Sequence, residues 1–116
     1  MIQLVIASQS KEQLEEISEY LLTSHLVISI DFHYDIRRVE LENGKLNNYT
    51  IHFITGKTKS NLFNEIDLRI RNKYKEHIPE IYSHPITDMD WELSNRLKSE
   101  TKKIVKNHFV ESKSKV

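Results

Sequence analysis

The stretch VISIDFHYDIRRVELENGKLNNYTIHFITGKT, residues 27–58, decides the fold, because it predicts two long paired strands. Apolar and polar side chains alternate from Ile28 to Ile36, and a period of two is typical of a strand with one buried face. Asn43-Gly44 is the strongest short signal for a two-residue hairpin turn, since both residues tolerate positive φ. The register that follows from this turn pairs Tyr34 with Phe53, Asp35 with His52, Ile36 with Ile51, Arg37 with Thr50 and Leu41 with Leu46.

The tip of this hairpin breaks the alternation. Near Arg37-Arg38 the apolar residues change face, so that Val39, Leu41 and Leu46 lie on the side opposite to the preceding apolar residues. Two interpretations stay open at this point. A β-bulge would restore the phase, or the tip buries its second face against a partner chain.

The segments on either side of the hairpin supply two more strands and three helices. IQLVIA is almost continuously apolar, which indicates a strand buried on both faces near the middle of a sheet. Ser10 and Gln13 predict a capping box, Ser60 a second N-cap, and Asp88 or Asp90 a third. We expect the last helix to dock through Trp91, Leu93 and Leu97. The predicted elements are a strand over 2–7, a helix over 10–24, the hairpin, a helix over 59–75, a strand over 80–84 and a last helix over 88–106.

This order, β-α-β-β-α-β followed by a C-terminal helix, predicts an α+β ferredoxin-like sandwich with a long central hairpin. Right-handed crossovers place both main helices on one face of the sheet and the last strand at an edge, beside the first. Pro79 and Pro85 bracket the last strand, which suits an edge position, because a proline cannot donate to a strand ladder. We expect one domain over residues 1–105 and a C-terminal extension, partly disordered, over 106–116.

Composition excludes several function classes. The chain of 116 residues has 17 basic and 17 acidic side chains, whereas a nucleic-acid binder usually carries a basic excess. It has no cysteine, which excludes disulfides, thiolate zinc sites and thiol catalysis and fits the cytoplasm. Neither a secretory signal nor a membrane span is expected. The two glycines are isolated, so no phosphate-binding loop is predicted, and no catalytic triad spacing stands out.

Three short motifs resemble the CutA divalent-cation-tolerance family. IPEIYSHPI, residues 78–86, is similar to that family's VPEI…LPI strand, and LENGKL, residues 41–46, to its hairpin tip. ITGKTK, residues 54–59, is similar to the end of its third strand, and Trp91 stands where members often carry an aromatic residue. The resemblance covers about residues 1–100 in matching order.

The resemblance implies a subunit similar to PII signalling proteins and a homotrimer in which long hairpins pair with neighbouring subunits. Val39, Leu41 and Leu46 would then form the trimer interface. Two positions depart from the family pattern: Tyr74 replaces a histidine, and VISID, residues 27–31, lacks a cysteine. Both missing residues are among those discussed as metal ligands in the family.

The polar residues of the strands supply the candidate sites. His33, Asp35 and His52 form a predicted cluster on the hairpin, and imidazole with carboxylate suits zinc or copper. His84 is a further candidate ligand at the end of the last strand. The alternative, which we favour, is an ordinary polar contact across the strands for the first group and a plain strand end for His84. At the start of the second helix, Lys57 and Thr58 could hold an anion through free amides and charge.

We therefore expect a non-enzymatic, cytoplasmic homotrimer with a role in divalent metal ion tolerance, copper above all. It needs no cofactor, and a copper or zinc ion or a small ligand would bind between subunits. Neither nucleic acid nor membrane is an expected partner. The alternatives are a PII-like sensor of a small anion or nucleotide, and a trimeric interaction module without a ligand.

Overall fold

A computed structural model describes residues 1–103 and shows four strands and three helices. The predicted C-terminal extension, residues 106–116, lies outside the described residues, as does the end of the predicted last helix. Among residues 1–103, no helix has both the length and the apolar composition needed to cross a membrane. The elements are β1 (Ile2–Ser8), α1 (Lys11–Thr23), β2 (Ile30–Glu42), β3 (Lys45–Thr58), a 3-10 turn (Ser60–Leu62), α2 (Phe63–Lys73), β4 (Glu80–Pro85) and α3 (Trp91–Glu100).

The sheet confirms the ferredoxin-like prediction. Its strand order is β2-β3-β1-β4, and every neighbouring pair is antiparallel. β1 is central, and six of its seven residues are buried, as the continuous apolar run predicted. β4 lies at an edge beside β1, and Pro85 is its last residue, opposite Ile2.

One hydrophobic core joins both main helices to one face of the sheet. Leu4 and Ile6 of β1 and Ile54 of β3 point into it. The helices contribute apolar stripes with helical spacing, and full burial of each such side chain is worth roughly 1.5–3 kcal/mol. The helical members of the core are Leu14, Ile17, Leu21, Leu62, Ile66 and Ile70. The opposite face of the sheet carries neither α1 nor α2 and is called the open face below.

The hairpin turn lies where Asn43-Gly44 predicted it. Asn43 and Gly44 have φ of 51° and 78°. The register confirms the predicted pairs nearest the turn: Leu41 with Leu46, Arg37 with Thr50, and Ile36 with Ile51.

On the side of Ile36 that is farther from the turn, the predicted pairing is wrong. Phe53 pairs with His33 instead of Tyr34, and Asp35 is not paired with His52, because the register shifts between His33 and Ile36. Asp35 has a φ of 60°. A β-bulge therefore inserts one extra residue into β2 at this point. A bulge was one of the two explanations for the change of face along the hairpin.

Two of the predicted helix starts are confirmed and one is wrong. The Ser10 side chain accepts the Gln13 amide at 3.1 Å, and the Asp90 side chain accepts the Leu93 amide at 2.9 Å. Ser60 caps nothing, because a 3-10 turn precedes α2 and neither element has a side-chain cap.

The predicted docking of the last helix is confirmed only in part. Leu97 is fully buried and Leu93 is half-buried. Trp91 is 73% exposed, so the prediction that it docks onto the domain is wrong. Trp91 is the first residue of α3, and only Leu97 of this helix is fully buried.

Candidate functional site

The β-bulge brings Asp35 and His52 together, although not as a simple cross-strand pair. His52 is 7% exposed, and its Nδ1 accepts the backbone N–H of Asp35 at 2.9 Å. The Tyr34 ring lies edge-on to the imidazole, with centroids 5.4 Å apart. The Asp35 carboxylate lies 3.9 Å from His52 Nδ1 and 3.3 Å from Lys11 Nζ. The backbone therefore occupies one ring nitrogen of His52, and only Nε2 remains as a metal ligand.

His33 lies on the other side of the sheet from this pair. Its ring stacks on Phe53 with centroids 4.5 Å apart, and its Nε2 lies 3.3 Å from Thr55 Oγ1. Because side chains alternate between faces, these neighbours place His33 on the open face. The bulge that positions Asp35 beside His52 thus separates His33 from both.

His84 is remote from the other candidates. It pairs with Gln3 on edge strand β4, is exposed, and contacts Tyr82 edge-on at 5.5 Å between centroids. Two strands lie between β4 and β2, and His84 aligns with Lys57 of β3 whereas His33 aligns with Phe53, so the two histidines are about 19 Å apart. No group of three or more His, Asp or Glu side chains within residues 1–103 could hold a metal ion. The donors within this part of one chain therefore do not form a complete site for a divalent ion.

Lys57 and Thr58 point to opposite faces of the sheet, as successive strand residues do. Thr58 is fully buried, and its hydroxyl donates to the Leu26 carbonyl at 2.6 Å. Lys57 is half-buried opposite Gln3. The next residue, Lys59, donates to the Lys102 carbonyl at 3.2 Å, and burial lowers its pKa. The start of the second helical segment is thus partly occupied by the chain itself.

A cleft of about 600 Å³ opens beyond the end of β1, and the sequence reasoning missed it. β1 has 7 residues and β3 has 14. β1 therefore pairs only with residues 52–58 of β3, and residues 45–51 have a strand, β2, on one side only. That difference in length is the signal that could have predicted the cleft. Its lining includes Ser10, Gln13, Tyr49, Tyr74 and Glu80.

Polar contacts within the chain already cross this cleft. Gln13 accepts the Ser8 hydroxyl at 2.5 Å and donates to the His77 carbonyl at 2.7 Å. Arg38 forms an ion pair with Glu80, and hydrogen bonds to Glu80 and Tyr49 raise the pKa of that guanidinium. The Glu80 carboxylate is therefore neutralised by a cation, which leaves little negative charge to attract a metal ion.

Solved structures similar to this chain share its fold. A divalent cation tolerance protein, CutA1, from Thermus thermophilus is 19% identical, with a TM-score of 0.77; the match covers 88% of this chain and all of that one. CutA1 from Pyrococcus horikoshii is 23% identical, with a TM-score of 0.75, and the match covers 89% of this chain and all of that one. A periplasmic divalent cation tolerance protein, CutA, from Archaeoglobus fulgidus is 22% identical, with a TM-score of 0.76, and the match covers 88% of this chain and all of that one.

Sequence comparison identifies the family. No curated protein matches the chain. The family described as CutA1 divalent ion tolerance protein matches residues 2–108, almost the whole chain, in agreement with the motifs at the hairpin tip and in the last strand. The chain therefore belongs to the CutA1 divalent ion tolerance family.

Proposed function

We propose that the chain acts as a homotrimer without enzymatic activity, and that the trimer supports tolerance of divalent metal ions, copper above all. Membership of the CutA1 family supports the tolerance role. The cytoplasm is the proposed location; the Archaeoglobus relative is described as periplasmic, so cell fractionation is the test.

The exposed apolar hairpin is the observation that carries the proposal of a trimer. Leu41 and Leu46 face each other across the turn and are 73% and 74% exposed, and Val39 is 45% exposed. Residues 1–103 thus leave the two leucines largely uncovered and Val39 partly so. A contiguous apolar surface of this kind marks a protein–protein interface. Neighbouring copies of the chain are the proposed partners.

A bound ion would need ligands from more than one subunit. Asp35 and His52 lie on the helix side of the sheet, whereas His33 and His84 lie on the open face. Any one chain offers at most two of these donors at one place. We therefore propose that copper or zinc, if bound, lies at a subunit boundary, with Nε2 of His52 or the open-face histidines as ligands.

A trimeric interaction module without a ligand is the second candidate function. Lys11 already neutralises Asp35, and the Asp35 amide occupies His52 Nδ1, so both groups have structural roles. A sensor of a small anion or nucleotide is the third. It would depend on Lys57, since the Thr58 hydroxyl is bonded to the Leu26 carbonyl.

Calorimetry on the intact trimer, with copper, zinc and ATP in turn, distinguishes the three functions. We expect copper to bind, and one of the substitutions His52→Ala and His33→Ala to weaken its binding at least about tenfold, according to which face of the sheet supplies the ligands. His77→Ala is the matched control, because that histidine is exposed and lies outside the proposed site. Equal copper affinity in all variants would refute the site; binding of ATP alone would favour the sensor, and no binding the interaction module.

A further inference from the structure

A groove of about 340 Å³ lies between α1 and α2, away from the hairpin and from the candidate metal ligands. Its apolar lining is formed by Ile17 of α1 and Ile70 of α2, which are both 2% exposed. The half-buried Tyr20 and Tyr74 lie beside them. Small-molecule sites typically have a volume in this range and combine an apolar lining with a few convergent polar groups. We therefore ask which polar groups converge on this groove.

Two cationic side chains, Arg69 and Lys73, supply most of the polar lining. They are four residues apart on α2, so they lie on the same face of the helix, one turn from each other. The Arg69 guanidinium lies 5.9 Å from the centre of the Tyr20 ring, and the Lys73 ammonium lies 5.7 Å from the centre of the Tyr74 ring. Within residues 1–103, no acidic side chain lines the groove. The lining therefore carries two positive charges and favours an anion.

Arg69 is held in position and keeps donors for a ligand. Its Nη1 donates to the Tyr20 hydroxyl at 2.6 Å, and its Nη2 lies 2.5 Å from the Glu65 carboxylate. A guanidinium has five N–H donors in a planar fork, which matches the two oxygens of a carboxylate. Glu65 also pairs with Lys102 at 2.5 Å. Glu65 therefore keeps a cationic partner when Arg69 turns towards a ligand.

Lys73 is available to a ligand for the same reason. Its ammonium lies 3.6 Å from Glu16, and both side chains are more than half exposed, at 53% and 55%. An ion pair between side chains this exposed contributes little to stability. Glu16 also accepts a hydrogen bond from the Tyr74 hydroxyl. Release of Lys73 therefore leaves Glu16 with a partner.

We propose that the α1–α2 groove binds a small aryl carboxylate, a function separate from the trimer and from metal ions. The rings pack against Ile17 and Ile70, and the carboxylate accepts hydrogen bonds from Arg69 and Lys73. A hydrated inorganic anion gains nothing from the apolar lining. An aromatic amine is repelled by both cations. An apolar body that carries one negative charge satisfies both parts of the groove.

Titration of the full-length chain with 2-naphthoate tests this site. Calorimetry should show one saturable site per chain, with a dissociation constant on the order of 0.1–1 mM for a ligand of this size. We expect Arg69→Gln and Lys73→Gln each to weaken binding at least about fivefold, since each removes a charge-assisted hydrogen bond. Arg71→Gln is the matched control, because it removes the same charge from the same helix, whereas Arg71 pairs with Asp67 outside the groove. Circular dichroism should show every variant folded.

A second probe tests the charge preference of the groove. 2-Naphthylmethylamine has the same rings and the opposite charge, and we expect it to bind at least about tenfold more weakly than 2-naphthoate. In NMR spectra, 2-naphthoate should shift the ring signals of Tyr20 and Tyr74. Three results would overturn the proposal: no saturable binding of 2-naphthoate, equal affinity for the amine, or the same affinity in the Arg69 and Lys73 variants as in the Arg71 control.

Discussion

The double substitution Leu41→Ser with Leu46→Ser is the sharpest test of the trimer. Both side chains are about three-quarters exposed in the single chain, so their removal should cost the isolated fold little, within about 0.5 kcal/mol. If neighbouring subunits bury them, each contributes roughly 1–2 kcal/mol to assembly. Two leucines in each of three chains then give about 6–12 kcal/mol for the trimer.

This energy corresponds to a large shift in dissociation. At about 1.4 kcal/mol for each factor of ten, the dissociation constant of the trimer rises by about 10⁴ to 10⁸. That constant has units of concentration squared, so the concentration at half-dissociation rises about a hundred- to ten-thousand-fold. We expect sedimentation velocity or light scattering on a dilution series to show trimers for the unmodified protein and smaller species for the variant.

Leu68→Ser is the matched control, because Leu68 is 62% exposed on the outer side of α2. It removes the same chemical group from a surface that the proposed trimer leaves free. Circular dichroism should show all variants folded. A monomeric unmodified protein at micromolar concentration, or the same dissociation midpoint in the hairpin variant and the control, would contradict the reasoning.

Three smaller predictions concern residues within one subunit. Thr58→Val should lower the free energy of unfolding by about 1–3 kcal/mol, because the Leu26 carbonyl loses its buried donor. Thr50→Val, at an exposed position, should have little effect, and urea titration measures both variants. Asp90→Ala should destabilise by about 1 kcal/mol through loss of the cap of α3, with Asp88→Ala as its control in the same titration. Burial raises the pKa of Glu65, but Lys102 and Arg69 outweigh burial and leave that pKa lowered. The ionised Glu65 therefore stabilises the fold above the ordinary pKa of 4.5, and this contribution is lost as the pH falls through the lowered pKa. The difference in unfolding free energy between the native chain and Glu65→Gln should accordingly shrink between pH 7 and pH 3, and a constant difference would contradict the assignment.

Local chemistry explains which parts of the fold the sequence could predict. The Asn43-Gly44 turn, the Ser10 and Asp90 caps and the continuous apolar run of β1 each depend on a few neighbouring residues. The start of α2 was mispredicted because Ser60 is a common N-cap residue type, whereas the chain there forms a 3-10 turn without a side-chain cap. Docking of Trp91 was expected from its apolar character, yet this side chain at the start of α3 is 73% exposed.

The bulge shows why the candidate site was harder to predict than the fold. The alternation of apolar residues reveals that β2 changes face, but the place of the change depends on a tertiary contact, the hydrogen bond from the Asp35 amide to His52. A shift of one residue reverses every side chain between the two faces. The same bulge therefore removes His33 from the predicted metal cluster and places Leu41 on the helix side of the sheet, beyond the helices. If the trimer forms through Leu41, the bulge has a direct role in assembly, and His52, predicted as a metal ligand, also positions the interface.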